Sequence, residues 1–192
     1  PAMIPGVSPD DPHSPYPSLG PNPRDDCAIG PDSSYSLHKG LCPGAREALL
    51  GGPGVIKTKK PGTWSGTVSV ARCKSCLFDM DWKLFESDLR ADGSPCYTSC
   101  GLNFRVRLVF KSHLPAKTVD DQLYACLFCL EEGRTVEDSD ATVFFTQKQL
   151  FAHLARHPRP FPQVRGLVVV QQRDSAEARA AKDDDYDLCV LN

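Results

Sequence analysis

The chain of 192 residues lacks an apolar run long enough to cross a bilayer, which takes about 20 residues of helix. Its first residues also lack a basic-then-apolar signal segment, so the expected location is intracellular, nuclear or cytoplasmic. Net charge is almost absent: 22 Lys and Arg stand against 24 Asp and Glu, giving −2. This excludes a chain that attracts nucleic acid through its overall field and leaves only local basic patches. Catalytic signatures are missing too. There is no HExxH, no HxE followed by PCxxC and no nucleophile motif. SPCYTSC (94–100) offers a Pro-Cys, but its second Cys lies one place too far for a deaminase. The expectation is a protein that is not an enzyme.

What the chain does have is 17 Pro and nine Cys. Nine of the prolines fall within residues 1–35, among Asp, Ser and Gly. Such a composition buries no core and holds many residues extended, so 1–35 reads as a flexible arm. An odd cysteine count with repeated Cys-x2-Cys pairs suits metal binding in a reducing compartment better than a disulfide framework. A reduced-thiol count would separate the two.

Between arm and tail the elements are short. CPGAREALLGG (42–52) reads as a helix with Pro43 in its first turn and Gly51 and Gly52 at its stop. VIKTKKPG (55–62) reads as a basic loop, and 64–73 as a strand running into Cys73 and Cys76. DWKLFESDLRA (81–91) spaces Trp82, Phe85 and Leu89 on one helical face, with Asp81 as N-cap. LNFRVRLVFK (102–111) alternates. Phe104, Val106, Leu108 and Phe110 point one way, and Arg105, Arg107, Val109 and Lys111 the other. It reads as a strand with a cationic strip, which is either a solvated sheet face or a contact for phosphate or an acidic peptide. The segment after 172 is an acidic tail whose Leu188, Val190 and Leu191 are apolar enough to dock its end.

Residues 124–157 open with Cys126-x2-Cys129 and close with His153-x3-His157. Tetrahedral zinc needs four such ligands, and His-x3-His places two imidazoles on successive turns of one helix face. Phe144, five residues, Leu150, two residues, His153 is the helix-side spacing of a zinc finger, and Tyr124 stands two places before the first Cys. These positions resemble the Cys2His2 zinc-finger motif over about a sixth of the chain. The gap between the pairs is 23 residues, where about a dozen is usual. The surplus lies between Cys129 and Phe144 and is polar and acidic. Closure entropy grows only with the logarithm of loop length, so the insertion leaves coordination intact. Base reading is another matter. The positions that would face bases are Thr146, Gln149 and Ala152; Gln can read adenine, and the other two offer little.

Cys73-x2-Cys76 needs two more ligands. Spacing alone offers Cys96 and Cys100, and Cys42 and His113 are the other candidates. A wider resemblance bears on the choice. CPGA (42–45), the Cys-x2-Cys, FKSH (110–113), YACLFC (124–129) and the HLxxH helix are similar in order to a family of fungal zinc-binding proteins of poorly defined function, over most of 38–157. That resemblance implies Cys42, Cys73, Cys76 and His113 as the second ligand set. Pro43 stands where the family pattern has Lys. Cys96 and Cys100 lie outside the pattern and remain the alternative ligands.

The expected fold is α+β. A small, partly antiparallel sheet would be built from strands near 66–72, 103–111, 123–126, 141–145 and 166–171. Helices near 44–50, 81–90 and 147–156 would pack on it, and two structural zinc ions would stabilise a domain spanning 36–172. The expected function is a zinc-stabilised recognition module binding a protein partner. The alternative is DNA or other nucleic-acid binding through Lys57, Lys59, Lys60, Arg105, Arg107 and Lys111, with Lys148 and Gln149.

Overall fold

The computed structural model describes residues 27–62, 66–89, 97–172 and 186–191. The Pro-rich arm up to position 26, Cys96 and residues 173–185 of the tail lie outside them. The described residues form six short helices and two small sheets.

The first sheet is antiparallel and ordered β1 (Val55–Pro61), β2 (Thr67–Cys73), β3 (Asp79–Asp81). β1 replaces the expected basic loop. Its Val55, Ile56 and Thr58 are β-branched, and it pairs along its whole length with β2, Val55 opposite Cys73 and Pro61 opposite Thr67. Before it stand α1 (Ser34–Leu37) and α2 (Pro43–Leu49). α2 has Pro at its first position and ends ahead of Gly51, whose φ of +81° a residue with a side chain rarely adopts. After the sheet comes α3 (Trp82–Leu89), capped by Asp81, whose Oδ1 accepts the N–H groups of Lys83 (2.7 Å) and Leu84 (3.3 Å).

The second sheet runs β4 (Tyr97–Ser99), β5 (Leu102–Phe104), β7 (Leu188–Leu191), β6 (Val169–Gln172). The last described residues therefore form an inner strand, antiparallel to β5 and parallel to β6. Two sheets stand where one was expected.

The expected strand at 103–111 is corrected. Only Leu102–Phe104 is extended, and Val106–Lys111 is a helix, α4. Val109, which the alternation placed on the cationic side, is buried together with Val106, Leu108 and Phe110. A helix can bury that set; one face of a strand cannot. The helix N-terminus is capped from a distance: the Asp88 carboxylate accepts the Arg107 N–H at 2.8 Å. The expected strands at 123–126 and 141–145 shrink to isolated bridges, His113 to Tyr124 and Tyr124 to Phe144. In their place α5 (Leu127–Glu132) starts at Cys126 and stops at Gly133, with φ +68°. The strand expected at 166–171 is β6.

The finger helix, α6 (Gln147–Arg156), is capped by Thr146, whose hydroxyl accepts the Gln149 N–H at 3.1 Å. One apolar cluster joins all these elements, with Tyr124, Phe78, Phe110, Phe128 and Phe151 its largest fully buried side chains. No helix among the described residues is long and apolar enough to cross a membrane.

Candidate metal centres

Two groups of four side chains converge. Cys42, Cys73, Cys76 and His113 form one, and Cys126, Cys129, His153 and His157 the other; within each, the donor atoms lie within 4.8 Å of one another.

In the second group Cys126 is the residue from which α5 springs, and Cys129 sits one turn further on, its N–H pointing at the Cys126 sulfur (3.5 Å). His153 and His157 come from the last turn of α6 and its end. The Cys126 Sγ lies 3.2 Å from His157 Nε2, Cys129 Sγ 3.2 Å from His153 Nε2, and the two Nε2 atoms 3.2 Å apart. Four ligands of a tetrahedral zinc would be about 3.3 Å apart for N–N and about 3.6 Å for N–S. Aromatic rings enclose the donors: Phe144 packs 4.9 Å from His153, and Phe128 5.7 Å from His157. All four side chains are buried. The hydrogen bond with Cys126, and then those with His153 and His157, hold the Cys129 thiol well below its usual range. Burial, and then Cys129, push Cys126 up. The direction at Cys129 favours thiolate, the form that ligates metal.

In the first group Cys42 begins α2, Cys73 ends β2, Cys76 sits in the turn to β3 and His113 follows α4. Cys42 and Cys73 sulfurs are 3.5 Å apart, and Cys76 Sγ is 3.4 Å from His113 Nε2. The turn is a sulfur-binding loop. Cys73 Sγ accepts the Ser75 N–H (3.3 Å) and Cys76 Sγ the Phe78 N–H (3.4 Å), both bonds that favour thiolate. Hydrogen bonds with Cys42 and Cys73 lower the Cys76 pKa, while those with Cys42 and Cys76, and burial, raise that of Cys73. His113 Nδ1 lies 2.5 Å from the Phe110 carbonyl. A carbonyl only accepts, so Nδ1 carries a proton, and Nε2 is the ring atom that faces the Cys76 sulfur and would ligate a metal. The ring stacks on Phe78 at 4.2 Å.

Both donor sets fit a divalent metal of zinc's preferences: sulfur and imidazole, four in number, at tetrahedral spacing. None of the eight described cysteines is in a disulfide. Cys42 and Cys73, at 3.5 Å, are far beyond the S–S length of about 2.05 Å. Of the alternative ligands, Cys100 is exposed at a positive φ and belongs to neither cluster, and Cys96 lies outside the described residues.

The cluster at Cys73 also depends on a glycine. A Cβ on Gly44 would collide with the Cys73 sulfur and come within 3.3 Å of the Gly54 carbonyl. Gly44→Ala would normally strengthen a helix by about 1 kcal/mol, but overpacking costs about 1–3 kcal/mol. The expected outcome is lower stability and faster zinc loss from this cluster than in wild type, read by thermal unfolding and release to a chelator.

The cationic residues singled out in the sequence fall on separate elements, and most are engaged within the fold. Lys57 lies over the Trp82 ring at 4.7 Å, and Lys60 pairs with Asp79 at 2.6 Å. Lys59, Lys148 and Gln149 are exposed, and Gln149 Oε1 accepts the Phe145 N–H. Arg105 stacks over Tyr186 at 4.7 Å. Arg107 and Lys111 both bind the Asp187 carboxylate, at 2.9 and 2.7 Å. Sequence reasoning docked the end of the tail through its apolar residues and did not single out Asp187. Its apolar neighbours Leu188 and Val190 were the available signal.

No family model, curated protein or solved structure matches the chain.

Proposed function

We propose that the chain is a recognition module without enzymatic activity, built around two structural zinc ions and binding a protein partner in the nucleus or cytoplasm. The observation that carries this reading is that each cluster offers four protein donors, and that seven of the eight donor residues are buried. A tetrahedral ion there would have every position filled, whereas a catalytic zinc keeps one for water or substrate. The second cluster has the ligands and helix of a Cys2His2 finger, with α5 and the insertion in place of the usual hairpin.

Charge favours a protein partner over nucleic acid. Arg107 and Lys111 share the Asp187 carboxylate, and Lys60 pairs with Asp79. Arg156, on the finger helix, is held by Glu137 and Asp140 of the insertion. Beside that helix the ring of Phe145 is 65% exposed, an apolar contact suited to a protein surface. Binding of duplex DNA and of RNA, followed by fluorescence anisotropy across a salt series, tests this choice. The expected dissociation constant at physiological salt is millimolar or weaker. Micromolar affinity that falls steeply with salt would establish the nucleic-acid reading instead.

A further inference from the structure

The three imidazoles of the two clusters differ in what stands behind them. His113 has the Phe110 carbonyl on its Nδ1. His157 Nδ1 is buried with no hydrogen-bond partner. His153 Nδ1 also makes no hydrogen bond, but a carboxylate faces it: Asp140 Oδ2 lies 3.5 Å away, with side-chain exposures of 1% for His153 and 4% for Asp140.

Asp140 belongs to the insertion that separates this chain from an ordinary finger, and two donors hold its carboxylate. Arg156, one residue before His157, donates to Oδ1 at 2.5 Å, and the Glu137 N–H donates to Oδ2 at 3.0 Å. The insertion is fastened at its other end. Thr135 N–H donates to the Cys27 carbonyl (2.7 Å), Ile29 N–H to the Gly133 carbonyl (2.9 Å), and the Cys27 thiol to Asp138 (2.7 Å). A carboxylate so buried and so held is more than part of a polar, acidic loop.

We propose that Asp140 is the positioning residue for the metal ligand His153, so that the insertion serves to orient that imidazole and retain zinc at the Cys126 cluster. The chemistry is that of a carboxylate behind a ligating histidine. When Nε2 ligates, Nδ1 carries the proton and the ring gains positive character; a facing carboxylate fixes the tautomer and ring angle and raises the basicity of Nε2. His157 has no such support, so the two histidines of one site are predicted to differ. The inference rests on the zinc reading of that cluster.

The test is zinc release from the full chain to a chromophoric chelator, for wild type, Asp140→Asn and Arg156→Gln. Asn keeps the size and can still accept from Glu137, but loses the charge facing His153. Asp140→Asn is expected to release one of two zinc ions about 10–100-fold faster and the other at the wild-type rate. Arg156→Gln, which keeps the carboxylate, is expected to release both near the wild-type rate. Equal release by Asp140→Asn and wild type overturns the proposal. So does an Arg156→Gln that releases as fast as Asp140→Asn, since Asp140 would then act only by holding the loop. A readout that needs no variant is proton NMR of the zinc-loaded wild type. A downfield, exchange-protected Nδ1–H is expected for His153 and not for His157, and its absence overturns the proposal. A wild type that binds no zinc removes the metal reading itself, which distinguishes that failure from the others.

Discussion

Cys129→Ala is expected to lose zinc at its own cluster and to unfold the whole described fold, not only the corner around α6. Structural zinc contributes folding free energy of about 10–16 kcal/mol in finger peptides, while a domain of this size is stable by about 5–15 kcal/mol in total. Losing one ion therefore removes an amount comparable to the whole margin. The loss should spread because the clusters share packing. Phe78 stacks on His113 and lies 6.0 Å from Tyr124, Tyr124 bridges to both His113 and Phe144, and Phe144 packs on His153. One core cluster contains the cysteines of both sites. Native mass spectrometry with far-UV circular dichroism, with and without chelator, checks this for Cys129→Ala and Cys76→Ala. The expected wild type holds two zinc ions and melts in one step, and each variant loses the cooperative transition. A Cys129→Ala chain that keeps one zinc and the wild-type melting temperature would refute the coupling.

Asp187→Ala is expected to be the most damaging substitution away from the metal centres. Asp187 is 1% exposed, and its carboxylate accepts from Arg107 Nε, Lys111 Nζ and the Val168 N–H (2.8 Å). Its backbone N–H donates to the Val168 carbonyl, and its carbonyl accepts the Arg105 N–H. Removing the side chain leaves two mostly buried cations facing one another without their shared counter-charge. Breaking a buried pair in this way costs about 3–5 kcal/mol, far above the 0–1 kcal/mol of an exposed one. The same residue fastens β7 to α4, so the inner strand of the second sheet is lost with it. Urea unfolding of the zinc-loaded protein reads the effect. A change below about 1 kcal/mol would mean that the triad does little for stability.

The two Cys/His clusters were largely legible in the sequence because ligand spacing is a local property. Cys-x2-Cys aims two sulfurs from one turn, and His-x3-His aims two rings from one helix face, whatever the rest of the chain does. The same holds for the cap at Asp81 and for Pro43 and Gly51 at the two ends of α2, since a cap acts within one turn. Spacing alone could not complete the set around Cys73 and Cys76. Cys42 and His113 are distant in sequence, and the structure brings them together through the backbone bond from the Cys42 N–H to the His113 carbonyl (3.2 Å).

What only the tertiary structure decided shares one cause: a partner far along the chain. The segment Val106–Lys111 reads equally well by alternation as a strand, and it becomes a helix because Asp88 caps its start while Asp187 collects Arg107 and Lys111, four residues apart on one helical face. The apolar end of the chain reads as a segment that docks, and only the fold makes it the strand β7 between β5 and β6. The insertion reads as a loop to be tolerated until Asp140 is found behind His153. Sequence by itself determined which side chains can ligate a metal and where α2, α3 and α6 begin. Long-range pairing, whose free energy exists only after the chain has closed, determined which charges are buried, which strand is inner and what supports each ligand.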